Sequence, residues 1–222
     1  MKIQGFLDQL LKTAQQSASG LGDAAGVKSG ADFGKGALAG GALSLLLGNR
    51  KARKMGGKVA VYGGLAAVGV LAYKAYGDWQ KQQGGAAAIT APRTVDMLPP
   101  PEAESHSQAI LKALIAASKA DGHVDDRERE VIEGEFSRLD ASPEVRQWLQ
   151  AELQKPLDPA EVARAATTPE MASEMYLASL LAVDEQNFME RAYLDELARQ
   201  LKLDDSLKTR LEQQMKEAGD AV

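Results

Sequence analysis

The strongest constraint on this chain is an abrupt change of composition near residue 95. Eighteen of its 21 glycines lie before residue 96. Residues 1–95 hold 12 Lys and Arg against 4 Asp and Glu, a net charge of +8, whereas residues 96–222 hold 14 against 27, a net charge of −13. We therefore expect two physical units, a basic glycine-rich half and an acidic half rich in helix-forming residues.

The composition also excludes several classes of function. The acidic half would repel the phosphates of nucleic acid, so no nucleic-acid partner is expected. The chain has no cysteine, which removes disulfides, thiolate metal sites and cysteine nucleophiles. It also carries no recognisable Ser/His/Asp grouping and no phosphate-binding loop. These features predict a protein that is not an enzyme and has no catalytic residues.

The first 17 residues have the spacing of an amphipathic helix. Apolar side chains recur every three or four positions, at Ile3, Phe6, Leu7, Leu10, Leu11 and Ala14. Such a helix packs on another part of the protein or lies on a membrane surface. Residues 18–35 are rich in Gly, Ala, Ser and Asp and are predicted to be a flexible linker.

Residues 36–78 form a glycine-rich segment that is predicted to enter a membrane. Residues 36–48 are uncharged for 13 positions and residues 59–73 for 15. Residues 56–76 count 21 positions, about 32 Å of helix, enough to cross a hydrocarbon core of about 30 Å. We predict a transmembrane helix there, with residues 36–48 as a partner helix or as a segment lying at the interface.

Small residues spaced by four favour close packing of membrane helices. Such spacing allows a tight helical hairpin or a homo-oligomer within lipid. The small residues are Gly36, Gly40, Ser44, Gly48, Gly56, Ala60 and Gly64.

The basic residues between the apolar stretches predict the topology. Cations flanking a membrane segment favour the cytoplasmic side. They are Arg50, Lys51, Arg53, Lys54 and Lys58. With one span or two, the chain then leaves the last span on the far side, so the acidic domain is predicted to be periplasmic on a bacterial inner membrane.

Residues 79–101 are predicted to be a linker and residues 102–222 an acidic all-α domain. Helix starts are marked by Asp158-Pro159-x-Glu161, which has the pattern of a capping box, by Thr168-Pro169, and by the caps Asp125 and Asp204. Apolar stripes on one face of each helix favour a compact bundle. The seven predicted helices are 104–121, 126–139, 143–154, 159–167, 169–183, 187–201 and 204–218.

The turn "KADGHVDDRERE", residues 119–130, partly matches a calcium-binding loop. With Gly122 at the sixth position, ligand positions one and three are Ala117 and Lys119, which excludes an EF-hand. A purely structural turn is the favoured interpretation and explains every residue of the motif except Asp121, with a left-handed Gly122 ending one helix and Asp125 and Glu128 capping the next. Zinc is not expected, because His106 is the only histidine besides His123.

A second stretch, "FMERAYLDELA", follows a similar acidic turn and forms a weak internal repeat with the first. Together with the glycine-rich span ahead of them, these motifs resemble the YebE-like inner-membrane proteins, whose soluble part belongs to the superfamily of tellurite-resistance TerB-like domains. The resemblance implies an all-helical bundle with a membrane anchor. It also implies metal binding through acidic turns, which on this chain points to Asp121, Asp125, Glu128, Asp184 and Glu190.

We therefore expect a membrane-anchored, non-enzymatic helical module of the bacterial cell envelope that binds a protein partner. The alternative is a divalent-cation sensor, in which the acidic turns of both repeats bind calcium or magnesium. A third hypothesis is binding of lipid headgroups through the amphipathic start and "NRKARK", residues 49–54.

Overall fold

The computed structural model describes residues 3–20, 65–82, 93–120, 122, 134, 141–183 and 187–220. These residues form helices and turns and contain no strand, which confirms the predicted all-α class for this part of the chain. The described helices are α1 Ile3–Gly20, α2 Leu65–Gln82, α3 Pro100–Ala117, α4 Pro143–Gln154, α5 Pro159–Ala163, α6 Pro169–Ala182, α7 Phe188–Gln200 and α8 Asp205–Asp220.

Side-chain caps begin the helices of the C-terminal half as predicted. Asp158 Oδ1 accepts a hydrogen bond from the Ala160 amide at 2.9 Å, and Thr168 Oγ1 accepts one from the Met171 amide at 3.1 Å. Asp204 Oδ1 accepts from the Ser206 amide at 2.9 Å. The capping-box role of Glu161 is wrong: its Oε1 instead accepts a hydrogen bond from Lys112 Nζ at 2.8 Å, which ties α5 to α3.

Helix α6 is the centre of the bundle. Every residue from Met171 to Ala182 is buried, because α2, α3, α7 and α8 all pack against it. A helix that is apolar on all sides is typical of such a central position. Its two serines are compatible with burial, since Ser173 Oγ and Ser179 Oγ each donate to a backbone carbonyl one turn earlier.

Helix α1 packs on the bundle. Ile3, Phe6, Leu7 and Leu10 are buried where α1 contacts α3 and α2. The Glu104 carboxylate accepts hydrogen bonds from the amides of Ile3 and Gln4 at 2.6 and 3.0 Å, and so caps the start of α1. The amphipathic start was expected either to pack on the protein or to lie on a membrane surface. In the structure it packs on the protein.

Helix α2 contains the second half of the predicted membrane span. Its buried face includes Leu65, Val68, Leu71 and Tyr76 and packs on α6 and α8. Within the described ranges, no helix combines the length and the apolarity needed to cross a bilayer. Residues 56–64, the small residues from Gly36 to Gly64 and the basic residues from Arg50 to Lys58 lie outside those ranges.

The predicted linker, residues 79–101, differs from the structure at both ends. Residues 79–82 continue α2, because Trp79 packs against the core and its Nε1 donates to Ser206 Oγ at 2.9 Å. Residues 94–98 form a turn that packs on the bundle through Thr94 and Val95, both buried. Pro100 already begins α3, since proline is well tolerated in the first helical turn.

Most other helix boundaries lie close to prediction. The range 143–154 coincides with α4, and α6, α7 and α8 differ by at most two residues at either end. Helix α5 ends at Ala163, four residues earlier than predicted, and α3 spans 100–117 rather than 104–121. The predicted helix 126–139 lies outside the described residues except for Gly134.

Two tyrosines on α2 test whether this helix is docked in the full chain. Tyr76 is 8% exposed and Tyr73 is 42% exposed. Tyr76→Ala should destabilise the protein by about 2–4 kcal/mol through lost burial and a residual cavity, whereas Tyr73→Ala should cost about 1 kcal/mol or less. Chemical denaturation of both variants measures the difference. Equal losses would contradict the docking of α2.

Candidate functional site

The predicted metal ligands lie mostly outside the described part of the chain. This applies to Asp121, Asp125, Glu128 and Asp184. Glu190 is described: it is buried in the first turn of α7, where its Oε1 accepts from Asn187 Nδ2 at 3.3 Å. The described residues contain no group of three or more His, Asp or Glu side chains able to hold a metal ion. The two-repeat cation site stays a prediction, whereas the left-handed Gly122 is confirmed by its φ of 83°.

The most unusual polar group in the structure is Glu174. It lies in the middle of the apolar helix α6 and is fully buried. Its Oε2 is 2.7 Å from Nδ1 of His106, which is also buried, on α3. Its Oε1 accepts a hydrogen bond from the Val95 amide at 2.6 Å. One carboxylate thus joins α6, α3 and the segment that enters α3.

Burial and the surrounding groups act in opposite directions on Glu174. Loss of water raises the pKa of its carboxyl, and the nearby Asp96 raises it further. The hydrogen bonds from His106 and the Val95 amide lower the pKa, but burial is the larger effect. The folded protein therefore holds a proton on this carboxyl more readily than an exposed glutamate would.

The turn that carries Val95 is fixed from a second side by α2. Thr94 Oγ1 donates to Asp96 Oδ1 at 2.7 Å, and Asp96 lies directly against the backbone of Gly69. A Cβ at Gly69 would come within 2.3 Å of that oxygen and 3.3 Å of Val95 Cγ1. A side chain at this position would displace the Asp96 carboxylate from its bond with Thr94, so glycine lets the turn pack between α2 and α6.

A groove of about 570 Å³ opens beside the histidine. It is lined by residues of α3, α4 and the start of α6 and of the loop between α5 and α6. The lining residues are Pro101, Glu102, Ser105, His106, Gln108, Ala109, Lys112, Trp148, Glu152, Ala165, Thr167, Thr168 and Met171. The acids in this lining are neutralised, because Glu102 pairs with Arg93 and Glu152 pairs with Lys155.

Sequence reasoning missed this centre, although two signals were present. Glu174 is a carboxylate inside "MASEMYLASLLA", a run with no other charge. Such a residue is exposed only if the helix has a polar face, and this helix has none. His106 lies four residues before Ile110, on the apolar stripe of α3. Two such buried groups are expected to pair with a polar partner, although their sequence does not say that the partner of each is the other.

Alanine substitutions at two glycines of α2 test whether the 94–98 turn packs closely against this helix. Gly69→Ala should displace the turn or destabilise the fold by about 1–3 kcal/mol, because its methyl group overlaps Asp96. Gly77→Ala is the matched control: its Cβ has no neighbour within 4 Å, so the better helix propensity of alanine should stabilise by about 0.5–1 kcal/mol. Thermal unfolding of both variants shows whether each substitution raises or lowers the stability. Stabilisation by both substitutions would rule out the close approach.

The raised pKa of Glu174 predicts how stability depends on pH. Its contribution to folding is greatest below the ordinary glutamate pKa of about 4.3 and is lost as the pH rises through the folded-state value. Glu174→Gln cannot ionise but can still pair with His106 and Val95, so it should flatten this part of the profile. Glu174→Ala should cost about 3 kcal/mol, because both partners lose their bond. Urea unfolding from pH 4 to pH 9 measures all three proteins, and an unchanged slope in Glu174→Gln would contradict the assignment.

Comparison with known proteins gives a family but no described chemistry. The model of the family "Protein of unknown function (DUF533)" matches residues 32–215. A protein of Yersinia enterocolitica, "Uncharacterized protein in ampR 5'region", is 32% identical over 115 residues, covering 52% of this chain and 83% of the relative. No solved structure matches.

Proposed function

The chain belongs to the DUF533 family, and from that premise we propose that it is a membrane-anchored, non-enzymatic helical interaction module of the bacterial cell envelope. In this proposal it is a YebE-like protein, and residues 102–222 form a TerB-like domain. Its partners are the lipid bilayer and a protein bound by the helical domain.

The observation that carries this proposal is the position of α2. This helix follows directly on residues 36–64, a glycine-rich segment that includes the uncharged stretch 36–48 and the basic cluster of residues 50–58, and it packs on α6 and α8. An anchor located before residue 65 would therefore hold the bundle at the bilayer surface instead of on a long tether. The turn clamped by Gly69 and Glu174 supports the same arrangement, because it fixes α2 relative to α3.

The charge distribution supports an orientation for this anchor. The basic cluster of residues 50–58 is expected to stay on the cytoplasmic side. The acidic half, with its net charge of −13, is proposed to lie in the periplasm. This orientation requires the chain to cross the bilayer after the basic cluster, through residues 56–76, whereas an anchor that ends before residue 65 with α2 docked would leave the bundle on the same side as the cluster. Acidic surface groups are also repelled by anionic lipid headgroups, which favours a bundle whose exposed faces point away from the bilayer.

Two exposed apolar side chains support a protein partner. Phe188 is 83% exposed and Met189 is 58% exposed, next to each other in the first turn of α7. Large apolar side chains at the start of a helix are typical of contact points in interfaces, where aromatic residues and methionine are enriched. The non-enzymatic part of the proposal is supported by the sequence, which lacks a recognisable pairing of nucleophile and base.

Membrane fractionation tests the anchor. The full chain should remain with bacterial membranes after alkaline carbonate washing, because its apolar segment is buried in lipid. Deletion of residues 36–64, which leaves α2 whole, should release the protein to the soluble fraction. Deletion of residues 22–35 is the control and should leave it membrane-bound. A full chain recovered as soluble protein would contradict the proposal.

Protease treatment of intact spheroplasts tests the orientation. Residues 96–222 should be cleaved from outside, and replacement of Arg50, Lys51, Arg53 and Lys54 by Gln should reduce the cleaved fraction severalfold. Protection of these residues in unmodified spheroplasts, with cleavage only after lysis, would place the acidic domain in the cytoplasm.

A further inference from the structure

His106 has one ring nitrogen, Nδ1, engaged by the protein, and the second, Nε2, has no hydrogen-bond partner among the described residues. Its side chain is 6% exposed and its Nδ1 lies 2.7 Å from Glu174 Oε2. The residue lines the groove beside α4. Among the described residues nothing bonds to Nε2, so this nitrogen is free to bind a molecule in the groove. The bond between Nδ1 and the buried Glu174 carboxylate fixes the orientation of the ring.

Burial of the pair determines whether Nε2 of His106 carries a hydrogen. A lone charge in the core is far more costly than a neutral pair, so the two favourable states of the pair both carry two protons. In one, Glu174 is protonated and donates to Nδ1, and the neutral imidazole has its hydrogen on Nε2. In the other, Glu174 is ionised and the imidazolium carries hydrogens on both nitrogens. Nε2 is a donor in either state.

The other polar groups of the groove also favour an acceptor ligand. Lys112 Nζ makes two hydrogen bonds, to the carboxylate and the carbonyl of Glu161, and an ammonium has a third N–H to offer. The lining carboxylates Glu102 and Glu152 are paired with cations. Trp148 and Met171 add apolar surface. The groove thus combines fixed donors with an apolar wall.

We propose that this groove binds an organic carboxylate carried on an apolar body, with the oxygens accepting from His106 Nε2 and Lys112 Nζ and the body lying against Trp148 and Met171. A free alkyl acid and the C-terminal carboxylate of a peptide offer this same chemistry. The site does not depend on membrane anchoring.

Calorimetric titration of the full chain in detergent micelles with four probes tests the proposal. Octanoate stands for free acids and acetyl-leucyl-phenylalanine for a peptide terminus, and octanamide and the dipeptide amide are their neutral controls. At least one acid should bind about tenfold or more tightly than its amide, and the stronger acid identifies the source. No binding of either acid at millimolar concentration, or equal binding of acid and amide, overturns the proposal.

The two histidines make the contact directly visible by NMR. The His106 ring signal should shift on addition of the acid while that of His123, assigned by His123→Gln, should not. His106→Gln should weaken binding about tenfold. Ala165→Leu, which narrows the groove without touching the pair, should do the same, and Lys81→Met on α2 should have no effect. A shift of the His123 signal alone, or unchanged affinity in both groove variants, would place the ligand elsewhere.

Discussion

The hydrogen bonds of Glu174 hold together parts of the chain that are far apart in sequence. Val95 lies 79 residues before it and His106 lies 68 residues before it, yet both bond to the same carboxylate in the core. The Val95 amide belongs to the turn that joins the glycine-rich half to the helical half. Without this acceptor, that amide would be buried and unpaired, at a cost of about 1–3 kcal/mol. Docking of the turn therefore depends on Glu174, and the relation of α2 to α3 depends on the turn.

A single docked turn also changes what the glycine-rich half can do. A chain that leaves a membrane through a flexible linker carries its domain at variable distance, but here α2 is already part of the bundle. Its small residues Ala67, Ala72 and Ala75 are fully buried by α6 and α8. The buried faces of these helices are consequently covered within the same chain, and the large exposed apolar side chains, such as Phe188 and Met189, lie elsewhere, on α7.

How far the sequence predicts this structure varies with the range of the interaction. The caps at Asp158 and Thr168 were predictable because a cap joins residues two or three positions apart. The docking of α2 was not, since an apolar helix with small residues suits the interior of a protein as well as lipid. The start of α3 was misplaced because prolines both end and begin helices. The Glu174–His106 pair depends on how α3 crosses α6, which no local pattern encodes.

The position of the Glu174–His106 pair indicates a role other than stabilising the fold. A buried ionisable pair adds little stability compared with well-packed apolar residues of similar size, so stability alone does not explain it. Here Glu174 holds the 94–98 turn through the Val95 amide, and its partner His106 lines the groove. Because the two contacts share one hydrogen-bonded pair, the proposed ligand would change the docking of the turn by as much as docking of the turn changes the affinity for the ligand.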